Sequence, residues 1–173
     1  MSGSSMGIEA DFWKLVDKAN CIDEEASRIL KDDTADPVDV NRMLEPTYLA
    51  ICQLVTDHPG KRDVFVRCFS ELVLYNRPSP WCLVPFCMRV LRLAEVKEVL
   101  SHDMDAHRGT AYYATRMNYC SAVMHAYLDD VWEMAIEFDY FSDEVPSCPE
   151  CRSPIANPRL PKCLDCGAEL HGT

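Results

Sequence analysis

The sequence predicts an all-α fold followed by a short tail of different character. Apolar residues recur at helical spacing from Ile8 to about Phe141, and no stretch alternates apolar and polar residues well enough for a strand. Proline and glycine punctuate that pattern at intervals of one helix length. Beyond Phe141 the periodicity stops, and four cysteines and five prolines crowd the remaining residues.

In EADFWKLVDKA, Phe12, Leu15, Val16 and Ala19 fall on one face, which predicts a first amphipathic helix. Asp23-Glu24-Glu25 then predicts the start of a short second helix carrying Ala26, Ile29 and Leu30, its acids complementing the dipole of the first turn. DDTADP reads as a break, and Asp36-Pro37 as the next start, because proline at the first helical position loses no needed N–H. Pro46 is expected to divide a lead-in from a longer helix, PTYLAICQLVTDH, which Pro59-Gly60 stops.

RDVFVRCFSELVLYN places Val64, Phe65, Cys68, Phe69, Leu72, Val73 and Tyr75 over more than half its circumference, so it should be buried on two sides. Ser79 is the expected cap, and Pro80 the opening, of WCLVPFCMRVLRL, with Pro85 implying a kink or a helix that begins near Val84. AEVKEVLSHDMDAHR follows almost without a loop and meets Gly109 at a C-cap position. Thr110 caps TAYYATRMNYCSAVMHAYLDD, and VWEMAIEFDYF closes the helical series. Helix pairs thus begin near Glu45, Ser79 and Thr110, a spacing of roughly 30–35 residues. That is the size of a HEAT or TPR unit, so the expected architecture is a HEAT-like helical repeat or an irregular helical bundle.

Domain organisation follows from composition. Residues 8–141 form the helical domain, 142–147 (within FSDEVPS) a linker, and 148–173 a tail whose prolines and polar residues cannot offset their ordering entropy by packing. The chain has 173 residues, a formal charge of −11 and 48% hydrophobic residues, enough for one good core. The tail carries Arg152, Arg159 and Lys162 against Glu150, Asp165 and Glu169, three against three, so the whole −11 belongs to residues 1–147. Such a surface repels phosphate backbones and attracts basic partners. No run of eighteen apolar residues and no basic, apolar leader is present, so a cytoplasmic protein is expected, with MSGSSMG as a polar start or a tag remnant.

Of ten cysteines, Cys21, Cys52, Cys68, Cys82, Cys87 and Cys120 stand singly among helical apolar positions, where a free thiol behaves as a small hydrophobe. Cys148, Cys151, Cys163 and Cys166 form two Cys-x-x-Cys pairs in CPECRSPIANPRLPKCLDCGAEL. This spacing predicts a tetrahedral sulfur cage for structural zinc, whose binding can fold a segment with no core of its own. CPEC followed by SPI, and CLDC followed by Gly167, resemble the paired knuckles of zinc ribbons over Cys148 to about Leu170. Iron shares this ligand set, but the tail has no aromatic residue to shield a redox centre. Four cysteine ligands leave no open position for water, so the metal is expected to hold structure and not to catalyse.

Two further groupings are legible. HDMDAH offers His102, Asp105 and His107 as a metal or acid–base cluster, although the two histidines are five apart and point away from each other on a helix. Tyr112, Arg116 and Tyr119 form a row with hot-spot composition, beside the acidic stretch Asp129, Asp130, Glu133, Glu137 and Asp139. The same row also fits the boundary of an amphipathic helix, where such stems lie on the core.

The texture of FVRCFSELVLYNRPSPWCLVPFCMRVLRLAEVKEVL and DDVWEMAIEF is similar to small HEAT-like bacterial proteins, including immunity proteins of polymorphic toxin systems, over residues 40–140. The resemblance implies a non-enzymatic protein-binding module that neutralises a toxin by occluding a basic surface, with Tyr112, Arg116, Tyr119, Asp129, Asp130, Glu133 and Glu137 as the expected partner face. A nucleic-acid accessory protein using the ribbon, and a metal-dependent enzyme centred on His102, Asp105 and His107, are the alternatives.

Overall fold

Among the described residues the helical periodicity is realised as six α-helices. The computed structural model describes residues 5–30, 37–128, 132, 134–155, 162–163 and 166–170. The helices are α1 (Ser5–Leu30), α2 (Pro37–Asp57), α3 (Arg62–Val73), α4 (Leu83–Leu91), α5 (Ala94–Ala106) and α6 (Ala111–His125). No strand occurs among the described residues; two isolated antiparallel bridges, Ser147 with Pro154 and Lys162 with Glu169, lie in the cysteine-rich tail. The fold is all-α, and no described helix is long and apolar enough to cross a membrane.

Packing runs stepwise along the chain. α1 rests on α2 and α3, α2 on α4, α3 on α4 and α5, and α6 on α4 and α5. Helices two apart along the chain pack on one another throughout, whereas only alternate consecutive helices do. The consecutive helices that pack together are α1 with α2, α3 with α4 and α5 with α6. The register therefore starts one helix earlier than the pairs expected near Glu45, Ser79 and Thr110.

Several elements differ from expectation for identifiable reasons. α1 is continuous over 26 residues, because nothing near Cys21 breaks it and Ala26 is wholly buried in line with Phe12, Val16 and Ala19. α2 runs straight through Pro46, whose ring is exposed while Leu44, Tyr48 and Ile51 bury the opposite face. The burial of these three side chains outweighs the hydrogen bond that proline forfeits. α4 begins at Leu83, next to the expected Val84, with no side-chain cap from Ser79. Pro85 falls in its first turn, where the missing N–H costs nothing. Thr110 caps α6 as expected, accepting from the Tyr113 N–H. The break at 31–36 lies outside the described residues.

The largest departure is the closing segment. In place of a helix through VWEMAIEFDYF, two 3-10 turns form, Ala135–Glu137 and Asp139–Glu144, with Phe138 extended between them. Trp132, Phe138 and Phe141 all turn inward, and the Phe138 and Phe141 rings lie 4.8 and 5.1 Å from that of Phe86. Tyr48 closes the cluster at 5.4 Å from Phe86. A regular helix would spread these rings over several faces. The buried Glu45 carboxylate takes up the backbone groups released, accepting from the N–H groups of Asp139 and Tyr140 at 2.8 Å each.

Candidate metal centre and surrounding surfaces

The tail repeats one local structure twice. In the first knuckle the Arg152 N–H donates to the Cys148 carbonyl at 2.9 Å and the Cys148 N–H to the Ser153 carbonyl at 2.8 Å. In the second, the Gly167 N–H donates to the Cys163 carbonyl at 2.9 Å and the Cys163 N–H to the Ala168 carbonyl at 2.8 Å. Arg152 (φ 61°) and Gly167 (φ 73°) occupy the same left-handed position in the two turns. Glycine takes this conformation without steric cost, whereas an arginine brings its Cβ close to backbone. The equivalence of Arg152 and Gly167 was readable from the fixed spacing after each Cys-x-x-Cys, but the arginine disguises it.

The two turns aim four sulfurs at one point. Cys148, Cys151, Cys163 and Cys166 present Sγ atoms that all lie within 4.8 Å of one another, the only such ligand group among the described residues. The Cys148 and Cys166 sulfurs approach to 3.7 Å, as do those of Cys151 and Cys163. Cys148 and Cys163 are buried; Cys151 and Cys166 face solvent. Hydrogen bonds from the side chain and backbone of Ser153 bring the Cys151 thiol down to about 6. An N–H bond from Ala168 favours the Cys166 thiolate, yet contacts with the Cys151, Cys148 and Cys163 sulfurs push it up to about 12. Four thiols this close cannot all ionise without a cation between them, and a bound metal ion is what permits it. The donor set and its geometry fit such an ion.

The residues leading into the first knuckle lie against the helical body. Val145 packs against the core and the Ile155 N–H donates to the Pro146 carbonyl at 2.7 Å. Arg42, Asp139, Ser147 and Pro154 share the walls of one shallow recess of about 210 Å³. The stretch expected as a linker, 142–147, therefore begins inside the 3-10 turn Asp139–Glu144 and continues directly into the knuckle.

The expected partner face divides. Asp129, Asp130 and Glu133 lie outside the described residues. Arg116 is buried: Nη1 donates to Asp103 Oδ2 at 2.7 Å and to the Tyr112 hydroxyl, and Nη2 donates to the Val73 carbonyl. Its Cζ sits 4.7 Å from the Tyr75 ring centre and 4.9 Å from that of Tyr112. Tyr119 is also buried, 4.8 Å from Tyr75. Arg116 and Tyr119 thus fasten α6 to the end of α3, and of the row only Tyr112 is exposed. Glu137 is half-buried, accepting from Asn41 Nδ2 at 2.7 Å, and burial raises its carboxyl above the usual range.

His102, Asp105 and His107 are not brought together as a ligand group. His102 is exposed and Asp105 pairs with Arg108. His107 Nδ1 lies 2.9 Å from the Asp103 carbonyl oxygen and 3.3 Å from its carboxylate. Asp103, which sequence reasoning passed over, is the acid that matters here, shared between Arg116 and His107. Its only signal is its position on the inward side of α5, thirteen residues before Arg116.

Sequence reasoning also missed Tyr75 and Trp81 as surface residues. Both are about half exposed, at 49% and 48%, although Tyr75 carries a left-handed φ of 56° at the end of α3. Comparison with family models, with curated proteins and with solved structures finds no match.

Proposed function

We propose that this chain is a non-enzymatic binding protein whose acidic helical body recognises a basic protein partner and whose tail is held by one structural zinc ion. The observation that carries the recognition reading is the segregation of charge. The full −11 belongs to residues 1–147, while the cysteine tail is balanced. A charge of this size accelerates encounter with a basic surface and disfavours nucleic acid. Zinc is the ion that suits four thiolates in a tetrahedral cage, and with four protein ligands it keeps no position for a substrate. The buried free thiols of Cys68 and Cys82, both pushed up to about 12 by burial, are inert side chains that suit a reducing cytoplasm. Toxin neutralisation by occlusion is the narrower form of this reading and rests on the sequence texture of residues 40–140.

Two measurements test it. Elemental analysis of the purified protein should give one zinc per chain, lost when Cys163 is replaced by serine; a metal-free tail or disulfides among the four cysteines would refute the zinc assignment. A partner captured from the native host should be basic, and its association rate should fall about tenfold or more from low to physiological salt, as screening shortens to about 8–10 Å. A partner whose association ignores salt would leave the acidic surface as a solvated face and remove the basis of the proposal.

A further inference from the structure

Beside α6 the surface holds a groove of about 370 Å³, lined by Trp81, Asn118, Ser121, His125, Trp132 and Met134. It runs between the α3–α4 loop, the outward side of α6 and the residues just before the first closing 3-10 turn. Trp81, at 48% exposure, forms one wall; Trp132, buried at 2%, forms the floor. Tyr75, Tyr112 and Met117 are exposed as well, each between 42% and 49%. Trp81 itself leans on the buried Tyr119, ring centres 6.2 Å apart, so its indole is held in place from below.

We propose that this groove receives an arginine or lysine side chain from a basic segment of a partner protein. The inference rests on the basic-partner reading above and gives that reading a place. Three observations favour a cation. Indole faces attract cations more strongly than any other side chain's ring does, and the half-exposed Trp81 offers one here, whereas Trp132 is covered by Phe138. The molecule already pairs guanidinium groups with its rings: Arg77 Cζ lies 4.1 Å over the Trp13 ring, and Arg116 sits between Tyr75 and Tyr112. The remaining polar lining, from Asn118, Ser121 and His125, offers oxygen and ring-nitrogen acceptors to a donor fork.

Charge complementarity supplies the direction. The described lining contains no carboxylate, so attraction comes from the field of the −11 body, which a cleft with low-dielectric walls concentrates. A groove of about 370 Å³ has room for the end of one long side chain.

The test uses the full-length protein with its metal and the tripeptide acetyl-Gly-Arg-Gly-amide, with the citrulline peptide as an uncharged match in shape. Indole N–H resonances report directly, and Trp13, on α1, serves as internal control. Titration to about 20 mM should shift the Trp81 and Trp132 signals and leave Trp13 in place, with citrulline binding at least about fivefold more weakly. Trp81→Ala, at a half-exposed position, should abolish the movement at Trp132 and weaken capture of a basic partner about tenfold or more.

No movement, equal movement with citrulline, or a stronger response to a single-stranded hexathymidylate would overturn the cation assignment. A basic partner that binds Trp81→Ala as tightly as the native protein, with its salt dependence intact, would overturn the groove while leaving the basic-partner reading standing. Conversely, a tripeptide response without any salt-sensitive basic partner would support the groove's chemistry and sink that reading.

Discussion

The helical body and the cysteine tail are held together by opposite physics. Around Phe86 the rings of Tyr48, Phe138 and Phe141 stand at 4.8 to 5.4 Å, and the body derives its order from area removed from water. The two knuckles have one bridge each, few apolar side chains and four sulfurs within 4.8 Å, and on our reading derive their order from a metal ion. The body distributes its stability over dozens of contacts, so it can absorb local irregularities such as a proline inside α2. The tail concentrates it at one point, where losing any single ligand is decisive. Between them stands the turn Asp139–Glu144, which belongs to both.

The largest expected effect breaks the body alone. Phe86→Ala removes the wholly buried hub of the aromatic cluster and should cost about 3–5 kcal/mol in urea unfolding. Cys163→Ser should do the reverse, abolishing zinc while moving the body's transition by no more than about 1 kcal/mol, or 2–4 °C in Tm. If Cys163→Ser or chelation instead unfolds the helices, the two regions form one cooperative unit and the distinction between them fails.

A smaller effect tests the seam. Glu45 is buried and accepts two backbone N–H groups from the turn leading to the first knuckle. Glu45→Ala should cost about 2–3 kcal/mol, since both donors lose a charged acceptor inside the protein. Glu45→Gln, whose amide oxygen can satisfy one donor while its NH₂ opposes the other, should fall between. Hydrogen exchange should accelerate first at Asp139 and Tyr140, and the knuckle should become easier to strip of metal. Unchanged exchange at these two amides would show that the turn is held by Phe138 and Phe141 alone.

The same contrast explains what the sequence could disclose. The clustering of the four cysteines was legible to the residue, because Cys-x-x-Cys spacing encodes a local geometry that needs no knowledge of the rest of the fold. The helices were legible wherever periodicity coincided with burial, as in α3, where Val64, Phe65, Cys68, Phe69, Leu72 and Val73 are all buried. What was not legible depends on contacts distant in sequence. Residues 135–141 have helical composition, yet they fold as two 3-10 turns because Phe86 and Glu45, some fifty and ninety residues earlier, supply better partners for their rings and N–H groups. Arg116 and Tyr119 look like surface anchors until Asp103 and Val73 are placed beside them. Pairing of Arg116 with Asp103 at 2.7 Å inside the protein converts a recognition residue into a fastening.

The finest test lies within the tail, where the two knuckles carry different residues at the same left-handed backbone position. Arg152 and Gly167 both adopt a left-handed φ, and around Gly167 a Cβ would meet nothing within 4 Å, so only backbone conformation is at stake there. A side chain in this region costs about 1–2 kcal/mol. Glycine also leaves the unfolded chain freer, which returns about 0.4–1 kcal/mol in the other direction. The steric term is the larger, so Arg152→Gly should tighten zinc binding modestly, by up to about 1 kcal/mol or fivefold. Gly167→Ala should loosen it by a similar factor, and the double variant should return close to the native value if the knuckles act independently. Competition against a chromophoric zinc chelator measures all three. Tightening by Arg152→Gly together with loosening by Gly167→Ala would establish that the two turns are one structure written twice. If Arg152→Gly weakens binding instead, the arginine side chain stabilises its own knuckle by more than its backbone strains it, and the tail is not held by metal and backbone alone.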